Sequence, residues 1–249
     1  MIFQQPPLTE DDVGVLALIQ RQREQLRFYT QSSPRRWMGS LRRLTLARAV
    51  QGSNSIEGYD ASLDEAVAAI DDDPPLDPRE ETWRALTGYR QALTYILQAV
   101  RDPAFEMSEQ FLKSLHFMMV QHEMKRNPGQ YRPGSIRVIN EKSDMVVYEA
   151  PSKDDLDQHM SELVTYLKSP PTAPPEVRAA MAHLNLTMIH PFSDGNGRMA
   201  RAVQTLVLAK EGGHTDPMFA SIEEWLGSNT EAYYAVLSDV GQGFMAPRT

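Results

Sequence analysis

The chain has 249 residues, 25 of them Lys or Arg and 33 Asp or Glu, for a net charge of −8 and a pI near 5.3. Hydrophobic residues at 41% and charged residues at 23% describe one globular domain with at most a small appendage, which excludes wholesale disorder, and the acidic balance argues against a nucleic-acid binder. With no Cys there is no disulfide framework, thiolate zinc site or cysteine nucleophile, and no apolar run approaches a bilayer's thickness, so a cytoplasmic chain without signal peptide or membrane span is expected.

The dominant period is helical. Thr9 is a good N-cap, Glu10 to Asp12 suit a first turn, and Leu16, Ile19, Leu26 and Tyr29 share one face, predicting a helix to about Gln31. Ser32-Ser33-Pro34 breaks it. The series Met38, Leu41, Leu44, Leu46, Val50 then predicts a second helix running toward Ser53-Asn54-Ser55-Ile56-Glu57-Gly58, with Gly58 as its stop. A short helical piece spans 66–70, Asp71 to Pro75 reads as a solvated connector, and Pro78 opens a long helix with Trp83, Leu86, Leu93, Leu97 and Val100 inward. Another helix starts near Ser108, with Phe111, Leu115, Met118 and His122 on one stripe, and ends before Asn127-Pro128-Gly129. One segment alternates as strands do: Arg137-Val138-Ile139 and Met145-Val146-Val147-Tyr148 flank the polar turn Asn140 to Asp144, a β-hairpin that must lean on helices as a flap. Helices are expected again at about 152–168, 175–189, 198–211 and 229–240, with no internal repeat and no second domain.

Against this background one stretch concentrates chemistry: His190-Pro191-Phe192-Ser193-Asp194-Gly195-Asn196-Gly197-Arg198-Met199-Ala200-Arg201. Pro191 ends the preceding helix and leaves His190 at its C-terminus. Gly195 and Gly197 can take positive φ, and the amides opening the next helix form an anion-binding nest, with Arg198 and Arg201 three residues apart on nearly the same face. A base beside a phosphate cradle suggests proton abstraction from a hydroxyl that attacks phosphorus, and Asp194 is the natural carboxylate for Mg²⁺ shared with substrate phosphates. Two other patterns fail here: a dinucleotide fingerprint needs a preceding strand, and a calcium loop needs Glu where Thr205 stands. His183 and His190, seven apart, and His116 and His122, six apart, lack the spacing of a zinc helix, so these histidines read as packing, as do Met118, Met119, Met181 and Met188.

Taken whole, the stretch resembles the Fic family signature HPFx(D/E)GNGRxxR, with all nine specified positions present. Gly129-Gln130-Tyr131-Arg132 before the hairpin resembles the family's approach to its flap, and Ala182-His183-Leu184 to His190 its motif-bearing helix; residues 108–212 are covered, while Ile222, Trp225, Tyr233 and Tyr234 suit closing helices. The resemblance implies an all-α fold, a Fic-type helical domain with one β-hairpin flap, which transfers AMP from ATP to a Ser, Thr or Tyr hydroxyl of a target protein. By position, His190 is then the general base and Asp194 the Mg²⁺ ligand. Gly195, Asn196 and Gly197 form the phosphate nest, Arg198 and Arg201 contact the β and γ phosphates, and Phe192 anchors the loop in the core. Flap residues Arg137, Val138, Ile139, Val146, Val147 and Tyr148 align the target segment by strand addition. Ser53, Glu57 and Gly58 also match the inhibitory pattern (S/T)xxxE(G/N), which implies the Fic class whose N-terminal inhibitory glutamate pairs with the second signature arginine, here Arg201. The expected organisation is an N-terminal helical region, 1–107, carrying that motif, and a catalytic core with closing helices, 108–249. The partners expected are the target protein, the chain itself as a self-modified substrate, and a second copy in a homodimer. Two rival functions remain open at this point: removal of AMP with Glu57 positioning water, and a nucleotide-binding interaction domain without turnover.

Overall fold

The computed structural model describes residues 2–32, 35–74, 80–140, 145–216 and 221–245. Ten α-helices and one two-stranded antiparallel sheet make up these residues: α1 (Glu10–Ser32), α2 (Arg35–Ile56), α3 (Leu63–Asp71), α4 (Glu80–Ala99), α5 (Glu109–Val120), β1 (Arg137–Asn140), β2 (Met145–Glu149), α6 (Lys153–Lys168), α7 (Pro175–Ile189), α8 (Asn196–Glu211), α9 (Glu223–Ser228) and α10 (Thr230–Met245). Local chemistry explains most boundaries. Thr9 and Asp12 exchange hydrogen bonds across the first turn of α1, and Ser62 and Glu65 form a capping box on α3. Ser108 caps α5 and Ser152 caps α6 through the amides of Phe111 and Asp155, while Pro175 occupies the first turn of α7, where no amide partner is needed. Gly58, at φ +82°, lies just past the end of α2 as its sequence suggests.

One apolar core joins α2, α4, α5, α6, α7 and α8, built on fully buried residues such as Val50, Tyr89, Leu115, Leu163, Leu186, Phe192 and Leu206. A smaller cluster, Tyr148, Ala150 and Met188 with Val138 and Leu237 against it, seats the hairpin on α7 and α10. Met119, Met181 and Met188 are buried, as expected of core filler. No helix among the described residues is long and apolar enough to cross a membrane.

Four differences from the sequence reading have local causes. The face of α1 is less buried than its periodicity suggests: Tyr29 is 67% exposed and Leu16, Ile19 and Leu26 are half-buried, because α1 lies at the rim, where Arg23 pairs with Glu176. Helix α5 ends at Val120, so His122 lies beyond the stripe it was expected to share. Helix α8 begins at Asn196, two residues before the expected 198, because Gly195 in the left-handed region starts the turn within the motif. The closing region, expected as one helix at about 229–240, splits into α9 and a longer α10 at Asn229, with Trp225 on α9 exposed. Ser33-Pro34, Pro75, Pro78 and the hairpin turn at 141–144 lie outside the described residues.

Candidate active site

Helices α7 and α8 pack side by side, and the motif loop is the bend between them. His190 caps α7 at φ +51°, an uncommon conformation for a residue other than glycine. Around it the loop is locked by contacts the sequence reading had not assigned. Asn196 closes the bend on itself: its Oδ1 accepts from the Phe192 amide at 2.9 Å and its Nδ2 donates to the Phe192 carbonyl at 2.8 Å. Its side chain is thereby spent on shape, leaving its backbone amide for a ligand. Phe192 is fully buried, as anticipated, and stacks on His116 with ring centroids 3.8 Å apart at 8°. His116 accepts at Nδ1 from the Gly129 amide, 2.9 Å, which fixes the proton on Nε2, where it donates to the Asp194 carbonyl at 3.0 Å. Burial lowers the His116 pKa to about 4, so this clamp is neutral at physiological pH. Arg132 sutures the other side, donating through Nε to the His190 carbonyl at 2.8 Å and through its two terminal nitrogens to Gly134 and Pro151 carbonyls at 2.6 Å each. His116 was read as packing and Arg132 only as part of a flap approach; each is a single residue whose partners come from distant segments, so spacing could not reveal the role.

The imidazole of His190 has its Nδ1 3.2 Å from the Thr187 carbonyl. That contact places the proton on Nδ1 and leaves the Nε2 lone pair as a base. Burial lowers the His190 pKa below the ordinary 6.5, opposed by the Thr187 carbonyl, so the base is neutral at physiological pH.

The amides of Asn196, Gly197 and Arg198 open α8 and point out of its N-terminus, as the nest requires. Gly195 takes the predicted positive φ, +74°. Gly197 does not, because it lies inside the first turn of α8; glycine is needed there for space instead. A Cβ at Gly197 would strike the Glu57 carboxylate and come within 3.2 Å of Arg201 Nη1.

Arg198 and Arg201 are both fully buried. Arg198 pairs with Asp194 at 3.3 Å and lies 5.2 Å from the Tyr59 ring, yet its Nε and Nη1 have no acceptor, nor does Nη1 of Arg201. Buried guanidinium nitrogens without acceptors beside free helix amides define a cradle for a polyanion. The rest of Arg201 faces α2: Nε donates to Ser53 Oγ at 2.8 Å, and Nη2 to the Ser53 carbonyl at 2.9 Å and to Glu57 Oε1 at 2.6 Å. Burial, the largest single influence, opposes the charge on Arg201, and the Glu57 carboxylate together with Tyr233 and Tyr89 outweighs it, raising the pKa. The turn after α2 presents Glu57 here because the Asn54 carbonyl accepts from the amides of both Glu57 and Tyr59. The structure therefore brings Ser53, Glu57, Gly197 and Arg201 together, with Gly58 ending the segment.

Asp194 is part-exposed and its carboxylate supplies one oxygen to Arg198. Among the described residues no group of three His, Cys, Asp or Glu side chains could hold a metal by itself. This donor set fits Mg²⁺ shared between one carboxylate and substrate phosphates, and does not fit an all-protein metal cage.

On the flap, Val138 pairs with Tyr148 and both turn toward the body, while Arg137, ion-paired with Glu149 at 3.1 Å, and Val146, 46% exposed, face out. Tyr148 is buried and its hydroxyl donates to the Met188 carbonyl, so of the six flap residues it contributes anchorage rather than a docking side chain. A bulge at Val138/Ile139 shifts the register; of Ile139 and Val147 only the backbone is described. His183 is a hydrogen-bonded core residue, between Gln204 at 2.5 Å and the Tyr233 hydroxyl at 2.9 Å.

Residues 106–208, which include the whole bend and both flanking helices, match the model of the Fic/DOC family. The chain carries a Fic/DOC family domain. Among curated relatives, protein adenylyltransferase Fic of Nematostella vectensis is 26% identical over 198 residues, covering 78% of this chain and 43% of that protein. Protein adenylyltransferase fic-1 of Caenorhabditis elegans is 34% identical over 92 residues, 36% of this chain and 17% of that one. The chain thus spans under half the length of the curated relatives it matches. The crystal structure of a Fic family protein from Desulfovibrio desulfuricans G20 superposes with a TM-score of 0.76 at 26% identity, over 97% of this chain and 70% of that one. A Fic domain containing signaling protein from Bacteroides thetaiotaomicron shares the fold, with a TM-score of 0.60 at 18% identity over 84% of this chain and 90% of that one.

Proposed function

We propose that the Fic domain is a protein adenylyltransferase held inactive by its own Glu57. The observation that carries this is the pairing of a neutral histidine, its Nδ1 occupied, with a buried cradle of unpartnered guanidinium nitrogens and free helix amides. ATP is the substrate this arrangement suits, and the named adenylyltransferase relatives support the choice. His190 Nε2 takes the proton from a target Ser, Thr or Tyr hydroxyl, the freed oxygen bonds to the α phosphorus, and the bond from that phosphorus to the bridging oxygen breaks, so pyrophosphate leaves. The amides of Asn196 and Gly197 and the Arg198 and Arg201 guanidiniums hold the phosphates through the charge build-up. Asp194 would hold Mg²⁺, which supplies charge neutralisation to the phosphates when bound. The exposed side of the flap, Arg137 and Val146, suits a target backbone added as a strand, and the same edge admits the chain itself as substrate. Residues 1–107 then regulate, residues 108–249 catalyse, and a chain without Cys fits a cytoplasmic site of action.

In this reading Glu57 competes with the substrate. Its carboxylate holds the guanidinium that the γ phosphate needs and lies at the first turn of α8, where an anion would bind. Two anions in one poorly hydrated cradle repel, so the Glu57–Arg201 contact and productive ATP exclude each other.

The test is the pH profile of self-modification in a Glu57→Gly background. A base whose pKa is lowered stays deprotonated below its ordinary range, so activity should hold from neutrality down past pH 6.5 and fall only under more acidic conditions. An acid limb centred above 6.5 would contradict the assignment of His190.

A further inference from the structure

Glu223, the first residue of α9, is a carboxylate 1% exposed. It accepts from Thr205 Oγ1 at 3.0 Å, the Tyr89 hydroxyl at 3.3 Å, Ser221 Oγ at 3.0 Å and the Ile222 amide at 2.9 Å, all neutral donors. Thr205 lies one turn beyond Arg201 on α8, and Tyr89 comes from α4, so this side chain ties α9 to the helix that carries the signature arginines. The backbone of the same residue meets the inhibitory helix. A Cβ on Gly52, the residue before Ser53, would come within 2.8 Å of the Glu223 carbonyl carbon and 3.0 Å of Glu224 Cα. From the other side, a Cβ on Gly227 would come within 2.9 Å of Gly52 Cα and 3.0 Å of its carbonyl oxygen. Helices α2 and α9 therefore cross backbone to backbone immediately before Ser53 and Glu57. Past the crossing, the Tyr234 hydroxyl of α10 donates to the Ile56 carbonyl at 3.3 Å.

We propose that Glu223 and the Gly52–Gly227 crossing are positioning elements that set the depth of α2 and so hold Glu57 on Arg201. Helix α9, fastened to α8 through Glu223, is the seat of the inhibitory helix. Neither touches substrate; both act through Glu57, and the proposal rests on the reading of Glu57 as an inhibitor. The seat is sensitive to a single methyl group, because on both sides the nearest atoms it would meet are backbone, which cannot swing aside.

The experiment compares self-modification with labelled ATP in the full chain for Gly52→Ala, Gly227→Ala, Glu57→Gly and the Glu57→Gly/Gly227→Ala double variant, with hydrogen exchange of residues 50–57 read in parallel. Gly39→Ala is the control, since it lies on the same helix with nothing within 4 Å of its Cβ. Both crossing variants should speed transfer roughly three- to thirtyfold and accelerate exchange in α2, with Gly39→Ala at the parent rate. The double variant should match Glu57→Gly alone, which also shows that alanine at 227 leaves the catalytic core folded. Parent-like exchange in α2, or rates at or below the parent in both crossing variants while Glu57→Gly is activated, would overturn the seat and leave the inhibitory role of Glu57 standing. A Glu57→Gly variant no faster than the parent would overturn that role and the seat with it.

Discussion

Replacing His190 with Ala is expected to lower the rate of AMP transfer on the order of 10²- to 10⁴-fold while ATP affinity stays near that of the parent. The separation follows from which atoms do what. In the proposed mechanism the Nε2 lone pair takes the proton, while the phosphates would meet the amides of α8 and the two arginines, which the substitution leaves in place. Because residue 190 sits at φ +51°, alanine there carries backbone strain that Asn tolerates better, so His190→Asn is the companion variant. Both should lose transfer in a Glu57→Gly background and both should bind ATP by calorimetry. Retention of more than about a tenth of the rate in either would remove His190 from the role of base.

Glu57→Gly should do the opposite and raise self-modification and target modification. If the contact at 2.6 Å biases the closed arrangement by about 1.4 to 2.8 kcal/mol, the gain is roughly ten- to a hundredfold. The bias stays modest although Arg201 is fully buried, because the Glu57 side chain keeps some contact with water and Ser53 retains its own two bonds to the guanidinium. Arg201 supplies the control. Arg201→Ala alone should lower activity, since a γ-phosphate contact is lost, and Glu57→Gly/Arg201→Ala should be no faster than Arg201→Ala, since relief works only through a freed guanidinium. If the double variant matches Glu57→Gly, inhibition does not run through this pair.

How far the sequence could be read depended on whether a role is local or assembled. The helices, their caps at Thr9 and Ser108, and the hairpin follow from periodicity and turn chemistry over a few residues, and the structure places them where those signals lie. The cradle was legible for the same reason, because His190 to Arg201 is one continuous bend whose glycines, amides and arginines need no distant partner to be recognised. For Gly197 the expected positive φ is not found: its freedom of φ is unused, and the space it leaves is filled by Glu57 from the turn after another helix. The clamp of His116 on Phe192 and Asp194, and the suture by Arg132, join segments far apart in the chain, and a lone His or Arg carries no spacing that could announce them. Glu223 is the extreme case. A glutamate at the start of a short helix reads as a solvated residue favouring the dipole, and only the fold reveals that it is buried against Tyr89 and Thr205. Tyr148 shows the converse, since alternation along a strand names both faces equally and only packing on Met188 decides which one is turned inward.

The most direct measurement is the partition of label between two ATP preparations, one labelled in the α phosphate and one in the γ phosphate, incubated with the Glu57→Gly protein and Mg²⁺. Transfer of AMP by His190 predicts that protein retains the α label with a mass increase of one adenylyl group per modified hydroxyl, while the γ label leaves with pyrophosphate. Protein carrying the γ label, or no label from either preparation, would contradict the assignment.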